Sequence, residues 1–316
     1  MGSAVSFLDV PGRLHEAATQ EQALAALLSS SGDSFPGSGY RPANRKTWME
    51  GLGPSTLRVH QVVWPGTHDS ATNGIGVPAV TRPFAECQTL SVYEQLAMGC
   101  RVLDVRVRED RRVCHGVLAG YSVDVVLDGV KRFLSETSSE FGQRDPPGFA
   151  RYLVERLGGG LLIREGDGVF DKTIAELLPG RVICVSKPRQ SPAPNPGDLL
   201  WSAGYLRDDW INTDMPRTKF DSNLGNLSRQ NPPATQRRFF YRVENTCTPV
   251  GDNLASLTVE PVTRRIHRFA RLFISRVVAQ GHGNKLQVFS TDFIDGDFVD
   301  ACVGFTRARM DGAQGT

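Results

Sequence analysis

The sequence predicts an α/β protein, a distorted β/α barrel of the TIM type. Three observations carry this. Short apolar runs of strand character alternate along the chain with amphipathic stretches of helical period. Polar and charged residues fall where those strands end, which is where a barrel presents its site. The chain has 316 residues, of which 40% are hydrophobic and 22% charged, enough for one large core.

The elements follow in order. Residues 14–29 are rich in Ala and Leu and predict a helix, and the Ser/Gly stretch 29–39 around Pro36 predicts a linker. This divides the chain into an N-terminal helix and linker over 1–45 and a barrel domain over 46–316. Leu57 to Trp64 reads as a strand ended by Pro65-Gly66. Residues 91–99 predict a short helix, 101–107 a buried strand, 112–116 a strand end and 122–135 a helix. Strands are expected at 181–186, 238–244 and 286–291. One helix is expected at 262–280, where Ile266, Phe269, Ala270, Phe273, Ile274 and Val277 share a face. Residues 187–200 form a Pro-rich loop. Gly158-Gly159-Gly160 lacks the Lys-Ser/Thr of a phosphate loop and reads as a turn.

Composition excludes several functions. A net charge of +2 without a basic run gives no footprint for nucleic acid. No apolar stretch is long enough to span a bilayer. The six cysteines are scattered without a C-x-x-C pair, so no metal is expected, and they read as reduced thiols in a cytoplasmic protein. No cofactor is called for, and a monomer is expected. Met1-Gly2-Ser3-Ala4-Val5-Ser6 matches the acceptor pattern for N-myristoylation at Gly2. It reads equally as an ordinary start. One acyl chain would give a marginal, peripheral membrane attachment.

The chemistry concentrates in three places. Trp64-Pro65-Gly66-Thr67-His68-Asp69-Ser70, Asp104-Val105-Arg106 and Cys114-His115-Gly116 put two histidines, an arginine and carboxylates at the ends of three expected strands. Imidazole titrates near neutrality and can take or give a proton. A guanidinium stays charged and binds two phosphate oxygens in a fixed fork. Two proton-transfer groups and a fixed cation suit cleavage of a phosphodiester. His68 is the base, His115 the acid, Arg106 the electrostatic element, and Asp69 a carboxylate that orients a histidine. His60 reads as structural, and His15, His267 and His282 lack any motif.

The run PGTHDSAT, then SVYEQLAMGCRVLDVRV, then VCHG resembles the catalytic X region of phosphatidylinositol-specific phospholipase C. The likeness continues through RVICVSKPR, FFYRVENT and FSTDFIDGDFVDA over roughly residues 46–312, most like the plant-type single-domain members. It implies attack by the inositol 2-hydroxyl and a cyclic phosphate product, on a phospholipid substrate at a membrane surface. It also implies that Asp292 pairs with His68, with Asp295 and Asp297 as alternatives. Lys187, Arg189, Tyr241 and Glu244 become headgroup residues. Calcium-using members carry a carboxylate where Arg106 stands, so the resemblance is to the calcium-independent members. Two rivals stand beside this reading. One is a catalytically impaired protein that binds phospholipid headgroups. The other is a calcium-dependent phosphodiesterase with Asp69 and Asp104 as ligands.

One departure stands out. In the family a β-branched run follows the helix ending near Ser135. Here residues 136–148 hold two prolines and several charges and no such run. The barrel is therefore expected to lack about one strand after residue 135 and to be open there. Leu161 to Ile163 lies too far along to replace it.

Overall fold

The computed structural model describes residues 10–137, 149–187, 194–195, 197–249 and 258–314. In chain order the elements are α1 (Val10–Ser31), α2 (Trp48–Leu52), β1 (Trp64–Thr67), α3 (Val92–Met98), β2 (Val102–Leu103), β3 (Arg112–His115), β4 (Leu118–Ser122), α4 (Val123–Ser135) and α5 (Phe149–Leu157). There follow α6 (Ile174–Leu177), β5 (Cys184–Val185), β6 (Leu200–Trp201), β7 (Leu206–Asp208), α7 (Pro216–Arg229), β8 (Phe240–Asn245), α8 (Val259–His267), α9 (Ala270–Ala279), β9 (Val288–Thr291) and α10 (Gly296–Gln314).

Five strands form a curled parallel sheet in the order β2-β1-β9-β8-β7. β5 and β6 make a separate parallel pair, and Leu162 bridges Val182 in parallel beside it. β3 and β4 form an antiparallel hairpin that leaves the barrel wall. Among the described residues the fold is thus a distorted β/α barrel whose parallel strands do not join into one sheet. Both faces of its central strands are buried, as a parallel sheet covered by helices requires. Under the polar rim the barrel interior is apolar. It keeps a cavity of about 60 Å³ lined by Trp64, Val102, Val185, Leu206, Phe240 and Val288 among others.

Local chemistry explains the elements that frame the site. α3 starts at a capping box in which Ser91 and Glu94 satisfy each other's backbone N–H, and it ends at Gly99 in the left-handed region. α4 is capped by Ser122 and buries Val123, Val126, Leu127, Val130, Phe133 and Leu134 along one stripe. Gly66 is required in β1, because a Cβ there would stand 2.5 Å from Ser290 Oγ and 3.2 Å from Val102 Cβ.

Several boundaries differ from the sequence expectation. The first strand is Trp64–Thr67 and not 57–64. Residues 59–61 turn into a short 3-10 helix, and the strand runs on through Pro65-Gly66. The chain tolerates the proline because Pro65 still offers its carbonyl, which accepts from Arg101 N at 2.8 Å. The expected helix 262–280 is two helices broken at Arg268-Phe269, although all six of its apolar residues are buried. Strand β4 was not anticipated, nor were β6, β7, α5, α7 and α10. Leu162, expected to lie too far along, forms an isolated parallel bridge to Val182, two residues before β5. Among the described residues nothing pairs with the outer edge of β2, which ends the sheet on that side as β7 ends it on the other. Residues 138–148, where the absent strand was sought, lie outside the described residues, as do Gly2 and Arg189. No helix among the described residues is long and apolar enough to cross a membrane.

Candidate active site

The carboxyl ends of β1, β2, β8 and β9 converge on one rim, and the hairpin β3–β4 folds over it. His68 is the first residue after β1, and its N–H continues the ladder to Thr291 O at 3.1 Å. Hydroxyls hold the turn that follows. Thr67 Oγ1 and Ser70 Oγ lie 2.7 Å apart, Asp104 N donates to Ser70 Oγ, and Thr72 Oγ1 donates to Asp69 O while accepting from Cys87 N and Gln88 N. The small polar residues of PGTHDSAT thus tie β1 to β2 and to the segment at 87–88. Asp69 sits at φ +43, a conformation that Asp tolerates better than most residues and that is often stored at functional sites.

His68 Nδ1 lies 2.9 Å from Asp292 Oδ1, and Thr263 donates to the other Asp292 oxygen at 3.0 Å. Arg106 Nη2 is 2.8 Å from His68 Nε2, and Arg106 Nε is 2.9 Å from Asp69 Oδ1. His115 donates from Nδ1 to Ala85 O at 2.8 Å, which leaves Nε2 facing Asp69 Oδ2 at 3.5 Å. His68, Asp69, Arg106, His115 and Asp292, drawn from distant parts of the chain, therefore form one cluster around a buried carboxylate. Asp295 and Asp297 are elsewhere: Asp295 pairs with His267 at 2.9 Å and Asp297 with Arg271 at 3.2 Å.

Two influences meet on His68. Burial favours the neutral ring. Asp69, then Asp292 and Glu244, favour the cation more strongly and raise the pKa from 6.5 to about 9. The Arg106 contact acts in the opposite sense, because a guanidinium N–H requires a lone pair on Nε2. The proton on Nδ1 points toward Asp292 in either state of the ring, and Nε2 is the nitrogen at which the two influences compete. Burial pushes the Asp69 carboxyl up, against the pull of His68 and Arg106.

A second charge network lies beside the first. Arg242 on β8, its side chain 11% exposed, reaches Glu244 at 2.5 Å, Asp208 at 3.1 Å and Asp104 at 3.4 Å, and Asp104 in turn is 3.4 Å from Arg106. Lys187 stands at the rim 3.4 Å from Asp208. Glu244 is thus beside the cluster, held by Arg242. Tyr241 is not: it points to the opposite face of β8, where its hydroxyl donates to Asp209 at 2.8 Å.

Sequence reasoning missed Arg242, Asp208 and Trp210. The alternation Phe240-Arg242-Glu244 on an apolar strand was a usable signal, since charges at i and i+2 share a face. Trp210 carried none. It lies in the loop after β7 with its ring stacked on His68, centroids 5.5 Å apart and planes at 23°, and it remains 42% exposed. His267, which had no motif, bonds Thr291 Oγ1 and Asp295 behind the cluster.

Cys87 adds possible metal donors. One ligand atom each of His68, Cys87 and Asp292, and of Asp69, Cys87 and His115, lie within 4.8 Å of one another. Burial pushes the Cys87 thiol well above its usual range, and the two Nδ1 atoms are engaged by Asp292 and Ala85. The cation that bridges Asp69 and Asp104 is Arg106.

The curled parallel barrel is a fold shared with solved phosphatidylinositol-specific phospholipases C. The solved enzyme from Listeria monocytogenes superposes with a TM-score of 0.65 at 18% identity, covering 83% of this chain and 99% of that one. A variant of the Staphylococcus aureus enzyme gives a TM-score of 0.61 at 16% identity, covering 83% and 97%. In sequence, the chain is 35% identical over 97 residues to the 1-phosphatidylinositol phosphodiesterase of Listeria monocytogenes. That match spans 30% of this chain and 30% of its relative. No family model matches the chain.

Proposed function

We propose that the chain is a phosphodiesterase of the phosphatidylinositol-specific phospholipase C type. It would cleave phosphatidylinositol-like phospholipids without calcium, as a single-domain enzyme related to the bacterial and plant-type members. The observation that carries this reading is Arg106, which touches both His68 and Asp69 and stands on the same carboxylate as His115.

The geometry supports the following sequence of events. A substrate phosphate draws the Arg106 fork toward its oxygens. His68 Nε2, freed of that donor and surrounded by carboxylates, becomes a strong base and takes the proton of the inositol 2-hydroxyl. The oxygen attacks phosphorus, giving the cyclic phosphate. The diacylglycerol oxygen leaves with a proton from His115 Nε2, the ring nitrogen that faces Asp69. Asp292 holds the His68 tautomer, and Thr263 holds Asp292. The Trp210 ring and the Arg242–Asp208–Lys187 row offer a flat face and polar partners for a polyol.

A lipid surface fits the surroundings. Val77, Val80 and Phe84 are exposed just before Ala85, whose carbonyl holds His115. Val117, 90% exposed, stands at the hairpin tip two residues after His115. Tyr121 donates to Asn73 at 2.6 Å, which binds the hairpin to the β1 loop. Exposed apolar side chains on both neighbours of the cluster suit a substrate that stays in a bilayer. If Gly2 is acylated, it would add a weak second attachment.

The test is product analysis after incubation with phosphatidylinositol vesicles in excess chelator, with vesicle binding measured in parallel. Inositol cyclic phosphate and diacylglycerol are expected. Binding without turnover would replace this reading with a headgroup-binding protein, and turnover only with added calcium would replace it with a metal-dependent enzyme.

A further inference from the structure

We infer that the N-terminal helix is part of the site's construction, and that Arg13 is a positioning residue for Trp210, acting through Asp214. The kinetic arm of this inference rests on the proposed activity. The structural arm does not.

Trp210 lies in the connection between β7 and α7, residues 209–215, which has no regular structure of its own. Its position over His68 therefore depends on what pins the loop. Several attachments come from the barrel side, among them Tyr241 Oη and Gln230 Nε2, which donate to Asp209 Oδ2 at 2.8 and 3.1 Å. Asn226 donates to Asp209 O at 3.2 Å and Thr248 N to Thr213 O at 2.8 Å. Lys219, itself buried, donates to Ile211 O at 2.9 Å, and its Nζ lies 3.9 Å from the centre of the Trp210 ring. One further attachment comes from outside the barrel. Arg13 of α1 donates from Nε and Nη2 to the two oxygens of Asp214 at 3.0 and 2.8 Å.

The Asp214 side chain is fully buried, whereas Arg13 is 31% exposed. A bidentate pair of this kind is strong because both oxygens are satisfied at once. Removing the arginine leaves a buried carboxylate without its facing cation, which is far more costly than losing a surface ion pair. The inexpensive relief is for Asp214 to swing to water. It is four residues from Trp210 on the same irregular loop, so that motion would draw the indole off His68. The same helix has a second ion pair, Glu21 with Arg268 at 2.7 Å, which does not touch this loop. That pair is a built-in control.

Trp210 can be watched directly. The chain has four tryptophans, and Trp48, Trp64 and Trp201 are buried, so acrylamide quenching of intrinsic fluorescence reports Trp210. Arg13→Ala is expected to increase quenching and to raise KM on phosphatidylinositol vesicles about tenfold with kcat within about twofold, the pattern of lost uniform binding. Arg13→Lys should fall between. Adding Asp214→Asn to Arg13→Ala should return both readouts toward wild type, because a neutral amide needs no cation. Glu21→Ala should behave as wild type. Unchanged quenching in Arg13→Ala, or equal effects from Glu21→Ala, would overturn the inference. Absence of turnover in the wild type would sink the functional reading alone, and quenching would still decide the role of Arg13.

Discussion

The two halves of the barrel are built differently. From β7 through β8, β9 and β1 to β2 the strands pair continuously in parallel, and β1 and β9 are buried along their whole length. Among the described residues between His115 and Trp201, the wall is one two-residue pair and a single bridge, with an antiparallel hairpin projecting from it. The proposed base and its support, His68, Asp292 and Thr263, belong to the first half. The proposed acid, His115, belongs to the hairpin of the second, held by Ala85 O, by Cys87 Sγ at 4.0 Å and by its approach to Asp69. Parts that must stay fixed sit on the continuous sheet, and the mobile lipid surface would meet the part with fewer backbone partners.

The comparison is broken most directly at the histidines. His68→Ala and His115→Ala are each expected to lower kcat by roughly 10² to 10⁴ with the fold retained. Circular dichroism and turnover measured together check this, and a near-wild-type rate in either variant removes that histidine from the mechanism. Arg106→Lys should cost somewhat less, about 10² in kcat, because an ammonium cannot touch His68, Asp69 and a phosphate in the guanidinium's geometry. Its residual rate, like the wild-type rate, should be indifferent to chelator.

Stability sharpens the contrast between the halves. Phe289 is fully buried at the centre of β9, so Phe289→Ala should cost about 3–5 kcal/mol. Val185 borders the interior cavity, where neighbours already leave space, so Val185→Ala should cost clearly less. Denaturant midpoints decide between them, and equal losses would mean that the second half is as tightly built as the first. Amide exchange should likewise be slower in β8 and β9 than in β5 and β6.

The smallest expected effect is on pH dependence. The pKa of His68 is raised in the fold from 6.5 to about 9, so its contribution to stability is fully present below about 6.5 and is lost as pH rises through 9. Thermal midpoints should fall over that window, and His68→Gln should flatten the fall. A wild-type profile without slope between 6.5 and 9 would show that Arg106 keeps the ring neutral throughout.

Much of the site could be read from the chain because strand ends announce themselves. A short apolar run followed by a polar cluster places His68, Arg106 and His115 on one rim before any contact is known. The helices with clear caps, at Ser91 and Ser122, were legible for the same reason: the signal is within four residues. The strand at Trp64–Thr67 was displaced because Pro and Gly argue locally for a turn. There the close approach of Ser290 and Val102 outweighs that preference. The helix expected over 262–280 kept its buried face but not its continuity.

Local sequence is enough for the alternation of strands and helices, the chemistry available at the strand ends, and a stretch at 136–148 without an apolar run. All of these depend on neighbours in the chain. The tertiary structure alone decided which carboxylate meets which base. Arg242 joins Asp104 to Asp208 across the sheet, Thr263 stands behind Asp292, and Arg13 holds the loop of Trp210 from 201 residues away. Such pairings are selected by the cost of leaving a buried charge alone, and that cost exists only once the chain has closed around it.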